Sequence, residues 1–287
     1  MLSSKHEIQY QHYEKVEAQT KRIEKTNKGQ AVNLRFIISP AKKMKVTEEY
    51  PFATAQPQFI EKARKIAAHL HNMDFEQLHK LWACSPRLAH ESLQQLNELQ
   101  AGLQLPFDHL TAAVCSYNGI QYTNIAASVM SEEQLSWTQE HVRVISGLYG
   151  LVRPLDGVCP YRLEMQAKLS MDGAHNLYEW WGDLLARTLM DEADDIRIIN
   201  LASKEYSQAL VPYFADKTIT CTFLSPDAKS GKLVMRAPEV KAARGSFIRW
   251  SAEKNIASVA ELHKFDGRGY TFDEVLSSSN ELVFRKQ

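Results

Sequence analysis

Four polar turns in this 287-residue sequence are attached to short apolar runs, and each carries side chains able to bind an oxyanion or move a proton. They are Ser39-Pro40-Ala41-Lys42-Lys43, Ser146-Gly147-Leu148-Tyr149-Gly150 continuing to Arg153 and Asp156, Pro160-Tyr161-Arg162-Leu163-Glu164-Met165, and Asn200-Leu201-Ala202-Ser203-Lys204-Glu205-Tyr206. Arginine offers a planar two-pronged contact to phosphate, and lysine a point charge. Gly147 and Gly150 lack a Cβ, which lets backbone N–H groups come close to a phosphate. Glu164 and Glu205, beside Arg162 and Lys204, are of the type that handles a proton, and Ser39, Asn200, Ser203 and Tyr206 can line a pocket with hydrogen bonds. Turns at strand ends are where α/β sheets usually hold ligands. The plainer alternative is that glycine and proline only turn the chain while the charges are solvated or pair across a loop.

A second cationic feature lies further on. At about 100° per residue, Val240, Ala243, Phe247 and Trp250 fall on one helix face, Lys241 and Arg249 on the opposite side, and Arg244 at the apolar edge. Lys229 to Lys254 holds seven Lys or Arg against two Glu, and Arg35 to Lys45 holds four basic residues and no acid. Brought onto one surface, the two segments would make a groove for phosphates. The nucleic-acid or phosphate set is therefore Lys42, Lys43, Gly147, Gly150, Arg153, Arg162, Lys204, Lys241, Arg244 and Arg249. No Gly-x-Gly-x-x-Gly or Gly-Lys-Ser/Thr loop is present, so a standard dinucleotide or ATP site is disfavoured and no cofactor is expected. His69 and His71 are two apart on a helical pattern and cannot share an ion, and the four cysteines are far apart in sequence, so no metal is expected. No Gly-x-Ser-x-Gly elbow occurs, and the catalytic residues stay unassigned.

The elements that must carry these groups alternate between helix and strand. Phe59, Ala63, Ile66, Ala67 and Leu70 have helical spacing, and Pro86 to Leu99 reads as a second helix. Leu34 to Ile38, Ala112 to Cys115, Val142 to Ile145 and Ile196 to Leu201 read as buried strands. Trp181, Leu184, Leu185 and Leu189 form a helix stripe, and Lys217 to Leu224 with Lys232 to Ala237 a hairpin. No linker interrupts the pattern, so residues 34–287 are expected to form one domain of mixed α/β (α+β) type, a sheet flanked by helices. Residues 1–33 carry six basic and four acidic side chains and read as a polar leader, either a charged tail or the product of a misassigned start codon. Thirty-four basic against 34 acidic residues leave no global attraction to polyanions. No signal-like or membrane-spanning run occurs, and the cysteines read as free thiols, which places the chain in the cytoplasm without a membrane partner.

Taken together, these segments resemble the YaaA family of bacterial peroxide stress proteins. The resemblance runs from Arg35 to Arg285 through Phe36-Ile37-Ile38-Ser39-Pro40-Ala41-Lys42, Ser146 to Asp156, Pro160 to Met165, Leu177 to Asp183, Ile199 to Ser203 with Tyr206, Lys241 to Gly245, Gly269-Tyr270 and Glu281 to Phe284. It implies a part in resistance to hydrogen peroxide, in which unincorporated iron is limited and DNA and protein are spared hydroxyl-radical damage. It further implies a family-specific α/β architecture, with a basic cleft and a helix-hairpin-helix-like element suited to DNA, which we assign to Gly147 to Pro154. The expected partner is DNA, bound without sequence preference. The competing expectation is an enzyme acting on a small phosphorylated or nucleotide-like molecule in the same pocket.

Overall fold

Leu34 to Ile38 is buried from end to end, the mark of a strand covered on both faces. It is the middle of a sheet. The structure, a computed structural model, describes residues 33–286. The leader read at residues 1–33 lies outside the described residues, except for Asn33, with which the first strand begins.

In chain order the strands are β1 (Asn33–Ile38), β2 (Lys43–Met44), β3 (Thr111–Ala112), β4 (Tyr117–Asn118), β5 (Val142–Ser146), β6 (Gly150–Val152), β7 (Gly157–Val158), β8 (Ile196–Asn200), β9 (Thr218–Pro226), β10 (Leu233–Val234), β11 (Tyr270–Phe272) and β12 (Glu281–Lys286). The main sheet has eight strands in the order β11-β12-β9-β8-β1-β5-β6, with β10 pairing β9. β5, β1, β8, β9 and β12 run parallel, while β6, β10 and β11 are antiparallel to their neighbours. The protein is thus α/β with a mixed sheet flanked by helices. From β1 the chain crosses first to β5 on one side and later to β8 on the other. That reversal puts a topological switch point beside β1, at the carboxyl ends of the strands.

Helices close both faces. Ala237–Glu253 sets Phe247 against Phe36, Phe223 and Phe284 at ring separations of 6.4, 5.9 and 5.4 Å. Trp137, from the helix Glu132–His141, completes this aromatic layer 5.3 Å from Phe36. The expected helix after Ser85 is present as Pro86–Gly102, with the Ser85 hydroxyl as N-cap and proline in the first turn, where its missing N–H costs nothing. Ile60–His71 likewise matches the predicted spacing.

Two local readings need correction. Ala112 to Cys115 is not a strand: after two residues of β3 it coils into the short helix Ala113–Ser116, whose first two N–H groups donate to the carbonyls of Asp156 and Pro154. Burial on all sides makes so short an apolar run fit either structure, and tertiary hydrogen bonds select the helix. The stripe Trp181 to Leu189 is two helices, Leu177–Trp181 and Leu184–Met190, because Gly182 takes φ +51° and ends the first.

Candidate functional site

Three parallel strands finish side by side in a hydroxyl-rich network. At the end of β1, the Ser39 hydroxyl accepts the Ser203 backbone N–H at 2.9 Å and lies 3.2 Å from the Ser203 hydroxyl. The Tyr122 hydroxyl donates to the Ser39 carbonyl at 2.9 Å. At the end of β5, the Ser146 hydroxyl accepts from the N–H groups of Leu148 and Tyr149 and meets the Tyr161 hydroxyl at 2.7 Å. Tyr161 in turn meets the Tyr117 hydroxyl at 3.1 Å. At the end of β8, Asn200 folds its side-chain carbonyl onto the Ala202 N–H and donates its amide to Thr220. Burial pushes the phenols of Tyr117, Tyr122, Tyr161 and Tyr206 upward, so they serve as neutral hydrogen-bonding groups.

The charged residues sit on this frame. Lys42 Nζ is 2.9 Å from one oxygen of Glu164, and the Arg162 guanidinium is 3.1 Å from the other. The Arg162 Nε is buried without a partner in the protein. Burial first, and then the nearby Glu164 charge, raises the Glu205 carboxyl above its usual range, although the Gln166 N–H partly offsets both. Lys204, exposed, opens the helical turn Lys204–Ser207 that also carries Glu205 and Tyr206. Beyond Arg162 and Glu164 a cavity of about 650 Å³ opens toward the helix Phe75–Trp82, with Lys80, Trp82, Gln77 and Lys168 in its walls.

Ser39, Lys42, Arg162, Glu164, Asn200, Ser203, Glu205 and Tyr206 thus come together, with Lys204 at the rim. The other expected residues do not take part in these contacts. Lys43 is exposed in the two-residue ladder of β2 with β4, and Lys241 is exposed on its helix. Arg249 is held by Glu253 at 2.6 Å and by the Ala126 carbonyl at 3.3 Å. Arg244 packs beside Cys221 of β9, with its Nε buried and unpartnered. Arg153 lies at the opposite end of the sheet, because β6 runs antiparallel to β5 and carries the chain back.

Where a helix-hairpin-helix-like element was expected, Gly147 to Pro154, the chain makes a tight turn into β6. Its glycines are buried rather than turned to solvent. A Cβ on Gly147 would lie 2.6 Å from the Leu163 carbonyl, and one on Gly150, at φ +73°, 2.8 Å from Trp181. Close packing is therefore their requirement here. Sequence reading overlooked Lys80 and Lys168, which no motif marks, and the phenols of Tyr117 and Tyr122. Among the described residues no three His, Cys, Asp or Glu side chains stand together as metal ligands. Nor is any helix among them long and apolar enough to cross a membrane.

A doubly wound α/β sheet with a polar, cation-rimmed site at the carboxyl ends of its central strands defines the class of protein. Residues 34–276 match the family described as peroxide stress protein YaaA. Relatives named UPF0246 protein support the match: one from Pediococcus pentosaceus is 39% identical over 255 residues, covering 88% of this chain and 98% of the relative. One from Lachnoclostridium phytofermentans is 38% identical over 255 residues, covering 88% and 96%. One from Agathobacter rectalis is 38% identical over 256 residues, covering 88% and 99%. The chain belongs to the YaaA peroxide stress family.

Proposed function

We propose that this peroxide stress protein works in the cytoplasm by binding DNA at the strand-end site, helping to limit unincorporated iron and to spare DNA and protein from hydroxyl radicals. One observation supports the reading: Lys42, Arg162 and Lys204 gather around the strand ends, and Lys80 and Lys168 stand in the wall of the adjoining cavity. Glu164 answers two of these cations, and Glu205 has a weakened tendency to ionise. A backbone phosphate would take over the exposed Lys42 through a charge-assisted bond.

The test is a fluorescence anisotropy titration of duplex and single-stranded DNA at several salt concentrations. Affinity is expected to fall with a log-log slope of about 0.9 per neutralised phosphate, with little sequence preference. Lys42→Ala combined with Lys204→Ala should lower that slope by roughly two. A salt-independent signal, or a double variant that binds like the wild type, refutes the reading.

The compactness of the hydroxyl network favours a second reading. Ser39, Ser203, Ser146 and Tyr161 form a fixed hydrogen-bonding floor, and Glu205 is poised to move a proton, an arrangement suited to an enzyme acting on a small phosphorylated or nucleotide-like substrate. Thermal stabilisation by nucleotides but not by duplex DNA would select this reading over the first.

A further inference from the structure

The amino end of the sheet holds a second cluster that the strand-end reading leaves unused. Arg35 of β1 and Arg143 of β5 stand near the starts of their strands, and the antiparallel return of β6 delivers Arg153 to the same end. All three reach one carboxylate. Arg35 Nε is 2.7 Å and an Arg143 terminal nitrogen 2.8 Å from Glu192 Oε2. Arg143 Nε is 3.1 Å and an Arg153 terminal nitrogen 3.4 Å from Oε1. Arg143 is buried and also donates to the carbonyls of Gln139, Glu140 and Val142. Arg153 differs: its side chain is 46% exposed and makes a single long contact with Glu192.

Three guanidinium groups thus share the one carboxylate of Glu192. Burial works against ionisation of Glu192, yet Arg143 and Arg35 hold its carboxyl below the usual range, so it supplies one full negative charge. The second acid, Asp156, is pushed up to about 7 by burial despite accepting the Arg153 N–H, and it answers the arginines only in part. Burial drives Arg143 down to about 10, against the pull of Glu192, and its neighbours Arg153 and Arg35 press the same way. Beside this cluster a cavity of about 300 Å³ opens, lined by Gln56, Gln58, Gln139, Arg143 and Arg153 and also by the two carboxyl groups, Asp156 and Glu192. That volume fits a small molecule, and its polar wall is rich in donors.

We propose that this cavity is an oxyanion site, separate from the strand-end site, that receives the phosphoryl or carboxylate group of a small metabolite. Arg153 supplies a two-pronged contact by leaving its long bond to Glu192, the glutamine amides supply further donors, and Arg143 supplies fixed positive charge behind them. Arg35 and Arg143 keep Glu192 occupied, so releasing Arg153 leaves no bare carboxylate.

Calorimetry and thermal melting with inorganic phosphate, pyrophosphate and citrate, at constant ionic strength set with chloride, test this. Saturable binding is expected, and the stronger of the phosphate and citrate responses identifies the preferred group. Arg153→Ala should weaken it about 10- to 100-fold, the loss of a charge-assisted contact, and Arg153→Lys should fall between. Lys42→Ala with Lys204→Ala, which removes the proposed DNA contact, should leave it unchanged. No saturable binding, wild-type affinity in Arg153→Ala, or loss in the Lys42 and Lys204 variant each overturns the proposal, and none of these bears on whether DNA binds elsewhere.

Discussion

Glu192→Gln removes the negative charge around which three arginines are arranged while nearly keeping the shape. The side chains of Arg143, Arg35 and Glu192 are 2%, 7% and 12% exposed, so water cannot replace the lost partner at the first two. Glutamine leaves one acceptor oxygen and turns an NH₂ group toward a guanidinium that can only donate. Breaking a buried ion pair by neutralising one member costs about 3–5 kcal/mol. For a chain of this size that corresponds to a melting temperature roughly 6–20 °C lower. Urea unfolding of both proteins at pH 7 measures it directly. Because the folded carboxyl ionises below its ordinary value of 4.5, the wild-type advantage is complete above that pH and shrinks as pH falls through the lowered value. The two unfolding curves should therefore converge in acid. A loss under about 1 kcal/mol at neutral pH, the worth of a surface ion pair, would refute the account of a buried cluster.

Two neighbours of that cluster give pH dependences of opposite sign. Asp156, buried and raised from 3.8 to about 7, binds a proton more readily folded than unfolded, so its contribution is complete below 3.8 and is lost as pH rises to 7. His141, lowered from 6.5 to about 4 chiefly by burial, contributes fully above 6.5 and loses its contribution as pH falls toward 4. The two offset each other in the wild type between pH 4 and 6.5; Asp156→Asn should expose the rising limb, and His141→Gln the falling one, each by a few kcal/mol in urea unfolding at stepped pH. Equal pH profiles for both variants would contradict this. Burial raises Cys115 and Cys159 to about 11 and Cys221 to about 12, leaving little thiolate at neutral pH. After hydrogen peroxide and an alkylating pulse, mass spectrometry should find these three reacting about 100-fold or more slowly than a free cysteine, and rapid sulfenic acid formation at any of them would show the burial argument to be wrong.

The strand Leu34 to Ile38 could be read directly because a short run that is apolar but for Arg35, and is followed by Ser39-Pro40, has few other uses. Ser39, Lys42, Arg162, Glu164 and Ser203 could be nominated because each follows or faces a strand end, and parallel strands bring such ends together. Arg153 defeated the same logic. It is seven residues after Ser146, yet the pairing of Val144 with Val152 means that the hairpin carries it across the sheet to Arg143. Gly147 and Gly150 defeated it differently, since a glycine needed for close packing looks the same in sequence as one left open for a ligand. Lys80 and Lys168 are brought to one cavity only by tertiary packing, and Glu192, on which three arginines converge, lies in an unremarkable acidic stretch.

The central position of β1 bears on how the chain is made. Its two ladders join residues 33–38 to residues 142–144 on one side and 196–200 on the other, so β1 leaves the ribosome well before either of these partners. At ordinary rates of synthesis that delay is about 5–30 s, during which an apolar segment with open edges is exposed to other nascent chains. The open edges of β1 are thus a liability in the nascent chain that closes only when β5 and β8 have been made.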